Sequence, residues 1–124
     1  MRPAGRKVWA IPGGHIPLRT TGPEPEETSS DTVCLLNTGD RDAAVEIRVY
    51  YEDREPVGPY RLTVPARRTR HIRFNDLIDP EPIPLDTDFA AVVISDLPIV
   101  VLFARKDTSR AENAIAATLA FPCD

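Results

Sequence analysis

Four arginines and a histidine fall within seven positions of this chain: Arg67, Arg68, Arg70, His71 and Arg73, inside VPARRTRHIRFND at 64–76. Guanidinium groups at this density suit nucleic-acid phosphates, or the carboxylates of a protein or a small ligand. An edge strand guarded by charge against aggregation carries the same pattern. Strand alternation divides the strip. Ile72 and Phe74 mark a core side, which turns Thr69, His71 and Arg73 outward. Arg68 and Arg70 then share the core's parity, and an unpaired guanidinium in a dry core is very costly. They must lie at a sheet rim, pair with carboxylates, or meet a ligand or a neighbouring subunit. A carboxylate is the expected partner, because two acidic loops flank the strip.

Other residues offer less chemistry. The chain has no GxSxG, P-loop, GxGxxG or HExxH motif. His15 and His71 are its only histidines, and neither stands at ligand spacing from a Cys or another His, so no metal is expected. Asp86 and Asp88 lie two apart in a proline-flanked loop, where a turn or charge-balance role outweighs cation binding. Ser29, Ser30, Ser95 and Ser109 have no base beside them. No enzyme activity and no cofactor are therefore expected. Trp9, the only tryptophan, is either a stacking platform or a buried core aromatic, and burial statistics favour the core. A pocket gathering Trp9, His15, Glu24, Arg68, Arg70, Arg105 and Asp107 would suit a small polar ligand, a sugar or a carboxylate.

The elements that must position these residues read as strands. AVEIRVYYE (44–52) alternates cleanly, with Val45, Ile47, Val49 and Tyr51 on one face. KVWAI (7–11), TVCLL (32–36), YRLTV (60–64) and 69–74 are further short strands. The apolar runs 89–95 and 99–104, parted by Asp96-Leu97-Pro98, read as two strands covered on both faces or lying in an oligomer interface. In NAIAATLAF (113–121) alanine favours helix and alternation favours strand; strand is the preferred reading. About eight short, mainly antiparallel strands predict an all-β sandwich or jelly-roll-like barrel. One domain over 1–124 is expected from the length. Two long, acidic, proline-rich loops are expected at 12–31 and 75–88. Glu24, Glu26, Glu27 and Asp31 load the first; Asp76, Asp79, Glu81, Asp86 and Asp88 load the second.

Bulk properties narrow the function. A formal net charge of −4 argues against nucleic-acid binding driven by charge. The 13 prolines are roughly twice the usual share and imply many loops and edges. The two cysteines, Cys34 and Cys123, show no CxxC spacing. Cys34 is expected in the core and Cys123 exposed or frayed, in a reducing cytosolic setting. No signal-peptide segment is expected at the N-terminus, and the apolar runs are too short to span a bilayer, so any membrane link runs through a partner.

WAIPGGHIP (9–17), GPEPEETSSDTVCLLNTGDRDA (22–43), VYYEDREPVGPYRLTVPARRTRHIRFNDL (49–77), PIPLDTDFA (82–90) and PIVVLFARKDTSRAENA (98–114) together resemble the sensory rhodopsin transducer family. The resemblance covers nearly the whole chain in order; the C-terminal AFPCD departs from the family pattern. It implies an all-β sandwich without enzyme activity, a homotetramer, a cytoplasmic location, and a membrane-embedded sensory rhodopsin as partner. The expected function is a signalling adaptor. The alternatives are a small-ligand module with no rhodopsin partner and, more weakly, a DNA-binding regulator using Arg67, Arg68, Arg70 and Arg73.

Overall fold

A computed structural model describes residues 2–17, 30–107 and 114–124. Its strands are β1 (Arg6–His15), β2 (Ser30–Asn37), β3 (Ala43–Tyr50), β4 (Val57–Val64), β5 (Arg68–Arg73), β6 (Asp88–Asp107), β7 (Ala114–Leu119) and β8 (Phe121–Pro122). A 3-10 turn over Phe74–Asp76 follows β5. The all-β expectation holds, and each strand pairing is antiparallel. The 113–121 segment contributes strand, as alternation indicated.

The two apolar runs are one strand, not two: β6 is 20 residues long. Its first half pairs with β1 and β3, its second with β2 and β7. One sheet therefore runs β4-β3-β6-β1-β8, and a second runs β5-β2-β6-β7. Asp96-Leu97-Pro98 marks the handover rather than a break. The β3 ladder stops at Ser95 and the β2 ladder starts at Val100, so Pro98 sits where its missing N–H breaks no bond to either strand. The Asp96 carboxylate accepts the Ala44 N–H at 2.8 Å there. Parity survives the crossing: Phe89, Ala91, Val93, Ile99, Val101 and Phe103 all face inward and are buried.

The core fills the space between the sheets. Trp9, Ile11, Val45, Ile47 and Val49 of the first sheet meet Val33, Leu35, Val101 and Phe103 of the second. The Phe74 ring joins them, 5.2 Å from the Phe89 ring and 6.2 Å from that of Phe103. Trp9 is a core aromatic, and its indole N–H donates to the Arg6 and Ile99 carbonyls, both at 3.0 Å.

Strand ends depart from expectation where proline and glycine suggested breaks. β1 continues through Pro12-Gly13-Gly14 to His15, with a register shift between Ile11 and Gly14 that absorbs Pro12. A Cβ on Gly14 would meet the Phe89 ring at 2.5 Å, so only glycine lets β1 pass this close. β4 likewise starts at Val57, ahead of the expected 60–64 strand. The loop expected from Pro12 to Asp31 is thus shorter at both ends. The 75–88 loop is tied to the body through Tyr60, whose hydroxyl donates to the Glu81 carbonyl at 2.6 Å. Burial pushes that hydroxyl's pKa up to about 12.

Of the two cysteines, Cys34 departs from the expected core position and Cys123 is exposed as expected. Cys34 lies opposite His71 and Leu102 on the outer face of the second sheet and is half-buried. Burial raises its thiol pKa. Cys123 is exposed, but its backbone N–H donates to the Val8 carbonyl at 2.9 Å. Next to it, the Asp124 carboxylate accepts the Val8 and Lys7 N–H groups at 3.1 Å. These bonds, that to Val8 first, hold it below the usual carboxylate range.

Candidate functional site

A charged network closes one end of the sandwich, and Asp31 is its centre. Asp31 follows the same alternation as Val33 and Leu35, so its side chain points inward from β2, where it is fully buried. Register sets it opposite Arg105 of β6. Arg105 Nε donates to Asp31 Oδ1 at 3.0 Å and Nη2 to Oδ2 at 3.4 Å. The backbone N–H of His15, in the first sheet, donates to Asp31 Oδ2 at 2.7 Å. A single carboxylate thereby joins three strands and both sheets. A buried carboxylate this well satisfied is held rigidly, because losing any donor would expose its desolvation cost.

His15 extends the network outward. Its Nδ1 lies 2.8 Å from Asp88 Oδ1 and its Nε2 3.5 Å from Asp86 Oδ1. Asp86 adopts a positive φ of 51°, and its N–H donates to the Ile16 carbonyl at 2.8 Å. These bonds fasten the end of the 75–88 loop to β1. A cleft of about 530 Å³ beside this group is lined by His15, Tyr50, Tyr51, Glu52, Asp88 and Arg105, among others. Arg105 also lines a second cleft, of about 430 Å³, between β1 and β7. Both fall within the size range of small-molecule sites.

The expected pocket is divided. His15 and Arg105 come together through Asp31, while Trp9 is spent in the core. Arg68 pairs with Asn37, at the other end of β2 from Asp31, about 20 Å away at strand rise. Arg70 pairs with Leu35, about 13 Å from Asp31 on the same measure. Glu24 and the Asp107 side chain lie outside the described residues. Among the described residues, no group of three or more His, Cys, Asp or Glu could hold a metal ion.

The arginine strip also resolves differently. Arg68 and Arg70 do share the core's parity, but β5 pairs with β2 alone and lies at the rim, so both side chains stay exposed. Their described bonds go to carbonyls, not carboxylates: Arg70 Nη1 to Thr63 at 2.9 Å and Arg68 Nη1 to Arg67 at 3.0 Å. The carboxylate partner belongs instead to Arg73, expected on the wet face, whose Nη2 meets Asp76 Oδ1 at 3.0 Å. At a rim, water and free carbonyls satisfy a guanidinium, so its parity imposes no ion pair.

Asp31 was read as part of an acidic loop and so was missed as the pivot. Its signal was present in the alternation Asp31, Val33, Leu35, Asn37, extended back past the apolar run. Asn37, at the far end of the same face, is also fully buried. Its amide donates to the Arg41 and Val64 carbonyls at 2.8 and 3.0 Å.

Comparison with known proteins bears on what this arrangement serves. A family model described as "Anabaena sensory rhodopsin transducer" matches residues 4–122. The solved structure of the Anabaena sensory rhodopsin transducer is 63% identical, covers 82% of this chain and 95% of its own, and superposes with a TM-score of 0.74. A structure titled "Crystal Structure of Thermotoga maritima 1070" is 25% identical over 95% of both chains, with a TM-score of 0.85. No curated protein matches.

Proposed function

This chain belongs to the Anabaena sensory rhodopsin transducer family, and from that premise we propose that it is a non-enzymatic signalling adaptor that docks a membrane-embedded sensory rhodopsin from the cytoplasmic side. The observation that carries the reading is the 63% identity to a named transducer, matched over 95% of that protein. Among the described residues no helix is long and apolar enough to cross a membrane. Cytoplasmic loops of membrane proteins are rich in Lys and Arg, and a partner carrying a net charge of −4 complements them.

The test is titration of the purified chain into the sensory rhodopsin encoded in the same genome, held in nanodiscs and followed by calorimetry. Saturable binding that weakens as salt rises is expected. A source genome without a rhodopsin gene, or no heat of binding at low salt, overturns the receptor reading.

We further propose a homo-oligomer assembled through the outer face of the second sheet. Register places Leu36, Cys34, Val100, Leu102, Ala117 and Leu119 together on that face. Leu36 is 41% and Leu119 58% exposed. A contiguous apolar sheet face is the kind of surface that association covers. Replacing Leu36 and Leu119 together by aspartate is expected to shift the sedimentation coefficient to that of the monomer, with the far-UV spectrum unchanged. An unaltered assembly in that variant sinks this choice of face.

A further inference from the structure

We propose that the open mouth of the sandwich between β1 and β7 binds a small apolar carboxylate, with Arg105 as its anion contact. Register puts Ala116 opposite Arg105 and Thr118 opposite Phe103, so β7 turns small side chains toward the interior. Elsewhere the two sheets close on Val, Leu and Phe. Here the small residues leave a cleft of about 430 Å³, with the buried Ile11, Phe103 and Ala120 in its lining.

Among the described residues, Arg105 is the only charged one that lines this cleft. Its guanidinium has five N–H donors in one plane, and Asp31 takes the one on Nε and one of the two on Nη2. Asp31 is fully buried and also held by the His15 N–H, so the guanidinium is fixed before any ligand arrives. The Phe103 ring lies 5.9 Å from it. An apolar lining with one fixed guanidinium suits a ligand that has a short hydrocarbon body and a carboxylate head. A nucleic-acid duplex is far too wide for the cleft, and a sugar would find few polar partners in its lining. The cleft's rim shares Ala117 and Leu119 with the apolar sheet face, but its inner lining of Ile11, Phe103 and Arg105 is separate from it, and the proposal stands or falls independently of the receptor reading.

Calorimetric titration of the full chain with hexanoate, and with hexanamide as the uncharged control, tests the proposal. Saturable binding at one hexanoate per chain is expected, with the amide about tenfold weaker or worse, as for loss of one charged hydrogen-bond contact. Ala116→Phe, which fills the mouth, is expected to abolish binding while leaving the melting temperature and sedimentation coefficient unchanged. Arg105→Lys, which keeps the pair with Asp31 but loses the planar fork, is expected to weaken hexanoate about tenfold and leave hexanamide unaffected. No hexanoate binding at millimolar concentration overturns the proposal, as does equal binding of acid and amide. Full binding by Ala116→Phe removes the cleft as the location. A change of oligomeric state in that variant would make the mouth a subunit contact and would equally overturn the proposal.

Discussion

Replacing Phe74 by alanine is expected to lower folding stability by about 4 kcal/mol, within the range for a buried aromatic truncated in a core. The ring has no solvent exposure and touches the aromatic rings of both halves of β6. The side chain stands where β5 ends and the 3-10 turn begins, so the backbone is committed in both directions and has little freedom to collapse into the void. Phe74→Leu keeps most of the volume and is expected to cost roughly 1 to 1.5 kcal/mol. Urea unfolding checks both, with a shifted midpoint and an unchanged slope. An alanine variant within about 1 kcal/mol of the parent would mean that the sheets do not close on this ring.

The second large effect concerns the buried ion pair. Arg105→Met is expected to cost about 3 kcal/mol, because it strands a fully buried carboxylate at Asp31. Arg105 itself is 38% exposed on its side chain, so the loss lies mainly in what is left behind, not in the attraction removed. Asn at position 31 can still accept the His15 N–H while carrying no charge. The double variant Asp31→Asn with Arg105→Met is therefore expected to be more stable than Arg105→Met alone, by about 1 kcal/mol or more. Thermal unfolding of the four proteins in the cycle gives the coupling directly. A double variant less stable than the single one would show that packing, and not charge, dominates at this site.

Much of the fold was legible because alternation reports burial one strand at a time. Val45, Ile47 and Val49 were read as one face, and all three are buried. Trp9 was read as core and is core. What failed were inferences from residue type about where strands stop. Pro12, Pro59 and Pro98 all fall just outside the expected strands 7–11, 60–64 and 99–104, and all lie within strands. Proline ends a strand only if its missing N–H would have met a partner, and that depends on which strand lies alongside. The site was legible in part. His15 and Arg105 were named, but Asp31, which joins them, was assigned to a loop on the strength of its charge.

Local order in the chain was enough to establish an all-β protein with alternating inward and outward residues, and enough to mark its family. That information is short-range: side-chain direction in a strand repeats every two residues whatever the neighbours are. Which strands are neighbours is long-range, and here it settled the chemistry. β6 crosses from one sheet to the other without losing parity, and that crossing sets Arg105, near its C-terminal end, opposite Asp31 of β2. β5 lies at a rim, and that edge position is why Arg68 and Arg70 remain exposed while Asp31 and Asn37, of the same inward parity on β2, are fully buried. Parity says which way a side chain points; only packing says whether anything stands there to receive it.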